Sequence, residues 1–215
     1  NKRNEVECIN MADVKMYECF PTMISEFSFY PDKLIHEQMT NCIREDIRNV
    51  ISYKIVKLTN KEARKNQKYH TDDKLHNMSY FTDLRDIILV SNSNYLKKLD
   101  YHYEHLEITG MWANYLYEGD AHPPHTHSNN FLSGVYYLES EDNAAPIQFF
   151  DPRPQANVLR PRNTPNWKNS TMIQFNAIKG VGYIFPSWLQ HWVPPTNGER
   201  ISISWNIILR GDYGE

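Results

Sequence analysis

The sequence predicts a mainly β protein, a sandwich or jelly roll, with helices in its N-terminal half. Two observations predict it: apolar residues before residue 105 recur at helical spacing, and after residue 105 short apolar stretches alternate with Gly, Pro and Asn. A length of 215 residues is enough for one substantial core. We therefore expect one domain across residues 1–215, with 1–104 as helical and strand support and 105–210 as the β core.

Two helices are predicted before residue 105. From Pro31 onward, apolar side chains recur at steps of three and four, which places them on one helical face. They are Ile35, Met39, Cys42, Ile43, Ile47, Val50 and Ile51. A second helix is predicted from about Phe81 to Leu99, and the polar run Ser91–Asn94 is a candidate interruption of it.

Seven strands are predicted after residue 105, and their spacing favours a sandwich or jelly roll over a βαβ sheet. They are Leu106–Tyr117, Phe131–Leu138, Ile147–Phe150, Met172–Phe175, Gly182–Phe185, His191–Val193 and Arg200–Leu209. The proline-rich segment Asp151–Ser170 is predicted to be an irregular loop. A loop of this length is commonly a lid or a substrate-binding segment.

Composition and charge narrow the classes of function. A formal net charge of −3 with 23% charged residues argues against a protein that coats nucleic acid or a membrane surface. No window approaches the roughly 18 apolar residues of a membrane span, and no secretion signal is evident. Three cysteines without a CxxC pair argue against a disulfide framework or a zinc ribbon. We expect a soluble, cytoplasmic protein with no membrane or nucleic-acid partner, and a homodimer is a possible assembly.

Histidines between two predicted strands indicate a metal site. His125 and His127 are two residues apart, so in an extended segment both side chains project to the same side. His191 opens a later strand that a jelly roll can place beside them. Three imidazoles with open coordination positions suit catalysis by iron, zinc, copper or nickel. We expect His122, which precedes a Pro-Pro pair, to lie off the strand as a lesser candidate.

The last predicted strand has one polar face. Alternation places Arg200, Ser202, Ser204 and Asn206 on one side of the strand, and Ile201, Ile203, Trp205 and Ile207 on the other. A polar face inside a β core indicates a polar ligand. The guanidinium of Arg200 offers a planar fork for a carboxylate, and the hydroxyl of Ser202 adds a donor on the same face. An acidic cosubstrate fits this pattern.

Seven segments together resemble the iron(II)- and 2-oxoglutarate-dependent oxygenases related to prolyl hydroxylases, in the variant that carries His-x-His instead of His-x-Asp. They are Thr71–His76, Trp112–Asn114, His125–His127, Leu132–Leu138, Phe149–Arg153, Phe185–His191 and Arg200–Asn206. The resemblance covers most of the chain and is sharpest from Trp112 to Asn206. It implies a double-stranded β-helix (jelly roll, cupin-like) with the N-terminal helices packed outside it.

The resemblance also implies a ligand set and an activity. His125, His127 and His191 would hold Fe(II), and Arg200 would bind the C5 carboxylate of 2-oxoglutarate with help from Ser202. Asn114 and Tyr136 are further candidates for cosubstrate contacts, beside Tyr115 and Tyr117. The implied reaction couples oxidative decarboxylation of 2-oxoglutarate to succinate with hydroxylation of an unidentified small-molecule or peptide substrate by dioxygen.

Two other interpretations remain open. A cupin-like three-histidine dioxygenase or a zinc hydrolase would keep the metal but would not need 2-oxoglutarate or Arg200. A non-catalytic jelly-roll binding module would hold no stoichiometric metal. His127 also departs from the wider superfamily, because an imidazole in place of a carboxylate leaves the metal site one charge more positive. A bound dianion would offset that charge.

Overall fold

Ten strands and two α-helices form the described part of the chain, which in the computed structural model comprises residues 15–55, 69–153 and 166–212. The elements in chain order are β1 (Ser25–Ser28), α1 (Lys33–Ile55), β2 (Tyr69–His70), α2 (Thr82–Lys98), β3 (His105–Leu116), β4 (His122–His125), β5 (Leu132–Ser140), β6 (Ile147–Phe150), β7 (Met172–Phe175), β8 (Val181–Pro186), β9 (His191–Val193) and β10 (Arg200–Arg210). Two short 3₁₀ turns, Leu75–Asn77 and Ser79–Phe81, precede α2. All seven predicted strands are present, within two residues at each end.

The strands form two antiparallel sheets with the topology of a jelly roll. The larger sheet has the order β1-β8-β5-β10-β3-β2, and the smaller has the order β4-β9-β6-β7. Apolar side chains of both sheets share one core between them, formed by Val135, Tyr137, Ile147, Phe149, Val181, Tyr183, Phe185 and Leu189. The expected fold class is therefore confirmed.

The two helices cover the outer face of the larger sheet. Helix α1 begins where the Asp32 carboxylate accepts the Ile35 backbone N–H at 3.0 Å, as a helix N-cap does. Its buried residues Met39, Ile43 and Ile47 join one apolar cluster with residues of α2 and of the sheet. Helices outside a jelly roll are what the sequence predicts.

Helix α2 is not interrupted at Ser91–Asn94. Asn92 is fully buried, and its side-chain amide donates to the Ile88 carbonyl at 2.8 Å. The Ser93 hydroxyl lies 2.7 Å from the Tyr103 hydroxyl. These polar side chains find partners without breaking the helix, so the expected interruption is wrong.

Strand β10 has the two faces that its alternation predicts. Ile201, Ile203, Trp205 and Ile207 lie in the cluster shared with the helices, whereas Arg200 and Ser202 lie beside Tyr137, a member of the core between the sheets. The polar face therefore lies between the two sheets. Of the predicted loop Asp151–Ser170, residues 154–165 lie outside the described part of the chain. No helix in the described part is long and apolar enough to cross a membrane.

Candidate functional site

The smaller sheet brings three histidines together. His125 ends β4, His191 begins β9, and the two are paired in register. His127 lies in the turn after β4, and its backbone N–H donates to the Ser187 carbonyl at 2.9 Å. The candidate ligand atoms of the three rings all lie within 4.8 Å of one another. The sequence predicted that these three residues lie together, from the spacing of His125 and His127 and from the strand that begins at His191.

Backbone carbonyls set the tautomers of two of these rings. Nδ1 of His125 lies 2.8 Å from the Pro123 carbonyl oxygen, and Nδ1 of His191 lies 2.8 Å from the Leu189 carbonyl oxygen. A carbonyl can only accept, so in both rings Nδ1 carries the proton. Each Nε2 then has a free lone pair, which is the arrangement that metal-binding histidines use.

The spacing of the nitrogens fits a shared metal ion. Nε2 of His127 lies 3.3 Å from Nε2 of His191. Two nitrogens that each bind one metal at about 2.0–2.1 Å are separated by about 3–3.4 Å when the angle between them is near 90–110°. The third ring, His125, packs edge-on against His127 with ring centroids 5.1 Å apart.

Burial keeps two of the three rings, those of His127 and His191, neutral. Burial lowers the pKa of His127 to about 4, with His125 adding to the effect, and burial lowers the pKa of His191 to about 3. The ring of Phe185 lies 4.7 Å from that of His191, and the ring of Trp112 lies 6.1 Å from that of His127. Neutral imidazole is the form that binds metals.

A buried cation lies at the start of β10, between the sheets. Arg200 is only 3% exposed, and its guanidinium donates to the Ala145 carbonyl at 2.8 Å. Its central carbon lies 5.1 Å from the Tyr137 ring centroid. Among the described residues, no carboxylate forms an ion pair with Arg200, and its Nε has no hydrogen-bond partner. Burial lowers the pKa of Arg200, but an arginine remains charged in proteins.

Polar groups surround this cation. Ser202 is paired in register with Asn114 on one side and Tyr137 on the other. The amide of Asn114 lies 3.4 Å from the Ser204 hydroxyl. The Tyr137 hydroxyl is fully buried and has no hydrogen-bond partner in the described part of the chain. Burial raises the pKa of Tyr137 while the charge of Arg200 acts in the opposite direction. An anion would satisfy these unpaired donors.

The structure contradicts the cosubstrate role expected for Tyr136. Its hydroxyl donates to the Phe29 carbonyl at 2.9 Å, and its ring packs in the cluster beneath the helices. Neighbouring residues of a strand point to opposite faces, so Tyr137 is the tyrosine that faces Arg200. Sequence reasoning missed Tyr137. The register of β5 against β10, in which Tyr137 is paired with Ser202, is the signal that identifies it.

One other expectation is corrected near the site. His122 lies on β4, paired with Val193, although it precedes two prolines. It is not one of the three clustered histidines. Arg153, in the predicted substrate-binding loop, forms a two-pronged ion pair with Asp151 at 2.8 and 3.0 Å. Arg153 is therefore already paired within its own loop.

A groove of about 650 Å³ is lined in part by two residues that contact His191. One wall is the segment 16–22, and the other is formed by residues at the facing ends of β6 and β7, including Phe150 and Met172. Phe149 and Leu189 line its floor. The Phe149 ring also lies 5.8 Å from the His191 ring, and the Leu189 carbonyl accepts from it. Phe149 and Leu189 therefore both line the groove and contact His191.

The fold is similar to those of several solved oxygenases. A prolyl-4-hydroxylase from Pseudomonas putida matches with a TM-score of 0.59 and 15% identity, over 88% of this chain and 94% of that one. The viral collagen prolyl hydroxylase of Paramecium Bursaria Chlorella virus-1, in its 2OG complex, matches with a TM-score of 0.54 and 10% identity, over 87% and 96%. A Trichoplax adhaerens prolyl hydroxylase, in complex with a peptide fragment of hypoxia inducible factor, matches with a TM-score of 0.54 and 11% identity, over 86% and 83%.

Sequence comparison adds one family. No curated protein matches the sequence significantly. Residues 110–206 match the model of the family described as "Putative 2OG-Fe(II) oxygenase". This segment runs from within β3 to within β10 and contains the three histidines and Arg200. The family model and the fold therefore both relate the segment 110–206 to the 2OG-Fe(II) oxygenases, to which it is similar.

Proposed function

We propose that the protein is an Fe(II)- and 2-oxoglutarate-dependent dioxygenase that hydroxylates an organic substrate. The observation that carries the proposal is the buried Arg200, which has no acidic partner in the described part of the chain, together with the unpaired Tyr137 hydroxyl beside it. A buried charge without a counter-charge is costly, so a site that keeps one is adapted to an anionic ligand. Carboxylates are the anions that a guanidinium binds best.

The metal would be held by His125, His127 and His191. The neutral state of His127 and His191 and the 3.3 Å spacing between their Nε2 atoms support this assignment. When bound, the iron supplies the redox chemistry that activates dioxygen. The chain contributes carbonyl groups that fix the tautomers of His125 and His191, and aromatic rings that exclude water from around His127 and His191.

The 2-oxoglutarate would extend from the histidines toward Arg200. Arg200 would pair with its distal carboxylate, and the Tyr137 hydroxyl would donate to the same group. Ser202 and Asn114 line the path on neighbouring strands. Because all three candidate ligands are neutral, the two negative charges of this cosubstrate would balance the charge that a carboxylate ligand balances in a His-x-Asp site.

The proposed reaction couples decarboxylation of 2-oxoglutarate to succinate with insertion of one oxygen atom into a C–H bond. Its partners are dioxygen, 2-oxoglutarate and a substrate that is a small molecule or a peptide. Fold similarity to prolyl hydroxylases supports a peptide only by analogy. A substrate in the groove beside Phe149 and Leu189 would lie next to His191.

One observation favours a second candidate. The metal-binding cluster found in the described residues has no carboxylate, as in three-histidine enzymes that need no 2-oxoglutarate. That candidate requires a metal but gives no role to Arg200. The two proposals therefore differ in whether 2-oxoglutarate binds.

The test is an anaerobic titration with Fe(II) and 2-oxoglutarate, followed by exposure to oxygen. We expect a visible metal-to-ligand absorption band that appears only when both are present, and succinate after oxygen is admitted. Arg200→Ala should weaken 2-oxoglutarate binding by about 2–4 kcal/mol, roughly 30- to 1,000-fold, while metal binding persists.

The matched control is Arg85→Ala, because Arg85 pairs with Asp86 on an exposed part of α2. Metal binding with no absorption band and no succinate would favour the second candidate. Unchanged cosubstrate affinity in Arg200→Ala would remove Arg200 from the site.

A further inference from the structure

The turn between β8 and β9 contacts two of the three candidate metal ligands. It is closed by a hydrogen bond from the Leu189 N–H to the Pro186 carbonyl at 2.9 Å. Within it, the Ser187 carbonyl accepts the backbone N–H of His127 at 2.9 Å. The Leu189 carbonyl accepts Nδ1–H of His191 at 2.8 Å. The placement of this four-residue turn therefore sets the position of one ligand and the ring orientation of another.

Side chains attach this turn to the larger sheet. The Ser187 hydroxyl lies 2.8 Å from the hydroxyl of Ser133 on β5, and the Ser133 hydroxyl donates to Oδ1 of Asn206 on β10 at 2.7 Å. Because a hydroxyl has one proton, the bond between the serines must be donated by Ser187. The result is a directed chain of hydrogen bonds from the turn through β5 to β10.

The two serines of this hydrogen-bond chain are buried and Asn206 is half-buried, so the bond between the serines is the one least readily exchanged for water. Ser133 and Ser187 are each 1% exposed. A buried hydroxyl that loses its partner destabilises the structure, and this favours one position of the turn over others. The turn is also held by a bond from the Ser187 N–H to the Phe131 carbonyl at 3.1 Å, so the side chains refine a position that the backbone already restricts.

We propose that Ser187, Ser133 and Asn206 form a positioning relay that holds the Pro186–Leu189 turn in the geometry at which His127 and His191 share a metal. The inference rests on the proposed function only in requiring that these histidines bind a metal. None of the three residues is among the candidate metal ligands, nor among the residues to which the proposed function assigns a contact with the cosubstrate. His125 lies outside the relay, because its ring is oriented by the Pro123 carbonyl of its own strand.

The rival explanation is that these are ordinary buried hydrogen bonds that stabilise the fold alone. Strand β5 offers a matched control for it. Ser140, at the opposite end of the same strand, donates its hydroxyl to the Ala177 carbonyl at 2.6 Å, away from the histidines. Ser133→Ala and Ser140→Ala remove the same atom from the same strand, so a purely structural role predicts that each lowers stability and that neither changes Fe(II) affinity.

The experiment measures Fe(II) affinity anaerobically, by competition with a chromogenic chelator and without 2-oxoglutarate, alongside the unfolding temperature of each protein. We expect Ser133→Ala to weaken Fe(II) binding about 3- to 10-fold, somewhat less than the 10- to 100-fold typical of partners that contact a ligand directly. Ser140→Ala should lower the unfolding temperature without changing Fe(II) affinity. In Ser133→Ala/Ser187→Ala the loss should equal that of one substitution, since a relay is broken by either.

The outcomes separate this inference from the proposed function. If the unaltered protein binds no Fe(II), the proposed metal site fails. If the unaltered protein binds Fe(II) but Ser133→Ala binds it equally well, or no worse than Ser140→Ala, the relay is refuted. Additive losses in the double variant would also refute it, because they would show two independent local effects.

Discussion

At the residue scale, the adjacent tyrosines Tyr136 and Tyr137 serve opposite faces of one strand. The Tyr136 hydroxyl has a partner in the Phe29 carbonyl, whereas the Tyr137 hydroxyl has none in the described part of the chain. An unpaired buried hydroxyl is destabilising unless something binds it. Replacement by phenylalanine removes the hydroxyl from either tyrosine, and we expect the two replacements to have opposite effects on stability.

Tyr137→Phe should weaken 2-oxoglutarate binding by roughly 1–3 kcal/mol while leaving the ligand-free protein as stable or slightly more stable, because it removes an unsatisfied group. Tyr136→Phe should do the reverse: it removes a made hydrogen bond, lowers stability by about 1 kcal/mol and leaves the cosubstrate affinity unchanged. Calorimetric titration and thermal unfolding of both variants check this. Equal losses of affinity would place the cosubstrate elsewhere.

His127 is the residue on which the three-histidine site depends. His127→Ala should reduce Fe(II) affinity by at least about 100-fold, beyond the range typical of groups that only support a ligand. His127→Asp should still bind Fe(II), with altered redox behaviour and reduced turnover, because the pocket accommodates a longer side chain. His122→Ala is the control, since His122 is on β4 but outside the cluster. Stoichiometric metal in His127→Ala would assign His127 a role in orienting substrate instead.

Burial of neutral histidines makes the metal-free protein sensitive to acid. The pKa of His127 is about 4 and that of His191 about 3, both below the usual 6.5, so the unfolded state binds protons more readily. Stability should therefore be complete above about pH 6.5 and should fall as pH drops, by about 1–2 kcal/mol per histidine at pH 5.

Urea unfolding of metal-free protein at pH 7.5 and at pH 5 measures this loss. His76, whose pKa burial also lowers, acts in the same direction, so the comparison must include His127→Gln. That variant should lose less stability on acidification than the unaltered protein. An identical loss would show that His127 does not titrate with folding.

At the element scale, the close packing of β5 against its neighbours depends on a glycine. A Cβ atom built at Gly134 would lie 2.1 Å from the indole of Trp205, which is fully buried between β10 and the helices. The indole cannot retreat into solvent. Strand β5 is therefore restricted to glycine where Trp205 crosses it.

Gly134→Ala should destabilise the protein by about 1–3 kcal/mol, the usual effect of overpacking a core. Gly110→Ala on β3 is the control, because its nearest contact would be an ordinary 3.5 Å to Asp73. Denaturant unfolding of both variants measures the difference. If Gly134→Ala is no less stable than Gly110→Ala, the indole must be able to move.

The sequence predicted most elements because each has a strong local pattern. The alternation of β10 identified both of its faces, and the spacing of His125 and His127 identified their common side. Strand β4 was harder, because two prolines occupy its middle and proline disfavours a central strand. Proline is tolerated in β4 because this strand forms an edge of the smaller sheet. Which residues of β5 face the helices and which face the smaller sheet could not be predicted either. All seven residues from Leu132 to Leu138 are buried, so the strand has no alternation of buried and exposed positions.

At the scale of the whole molecule, the helices and the jelly roll share one core. Residues of α1, α2 and the larger sheet belong to a single apolar cluster, in which Trp205 and Leu84 are fully buried. The polar face of β10 lies on the other side of the same sheet and carries Arg200. Packing of the helices therefore supports the strand that holds the candidate acid-binding residue.

We propose accordingly that residues 1–215 fold as one domain, with 1–104 supporting the jelly-roll core of 105–210. Helical circular dichroism and the fluorescence of the five tryptophans, of which Trp205 is fully buried, should report one coincident transition in urea, as two-state folding requires. Residues 105–212 expressed alone would expose the apolar face of the larger sheet, which includes Ile203 and Ile207. This fragment should bind a hydrophobic dye and lack a cooperative transition, because exposed patches of this kind favour association. A fragment that unfolds cooperatively and binds Fe(II) would instead show that the jelly roll is a domain in its own right.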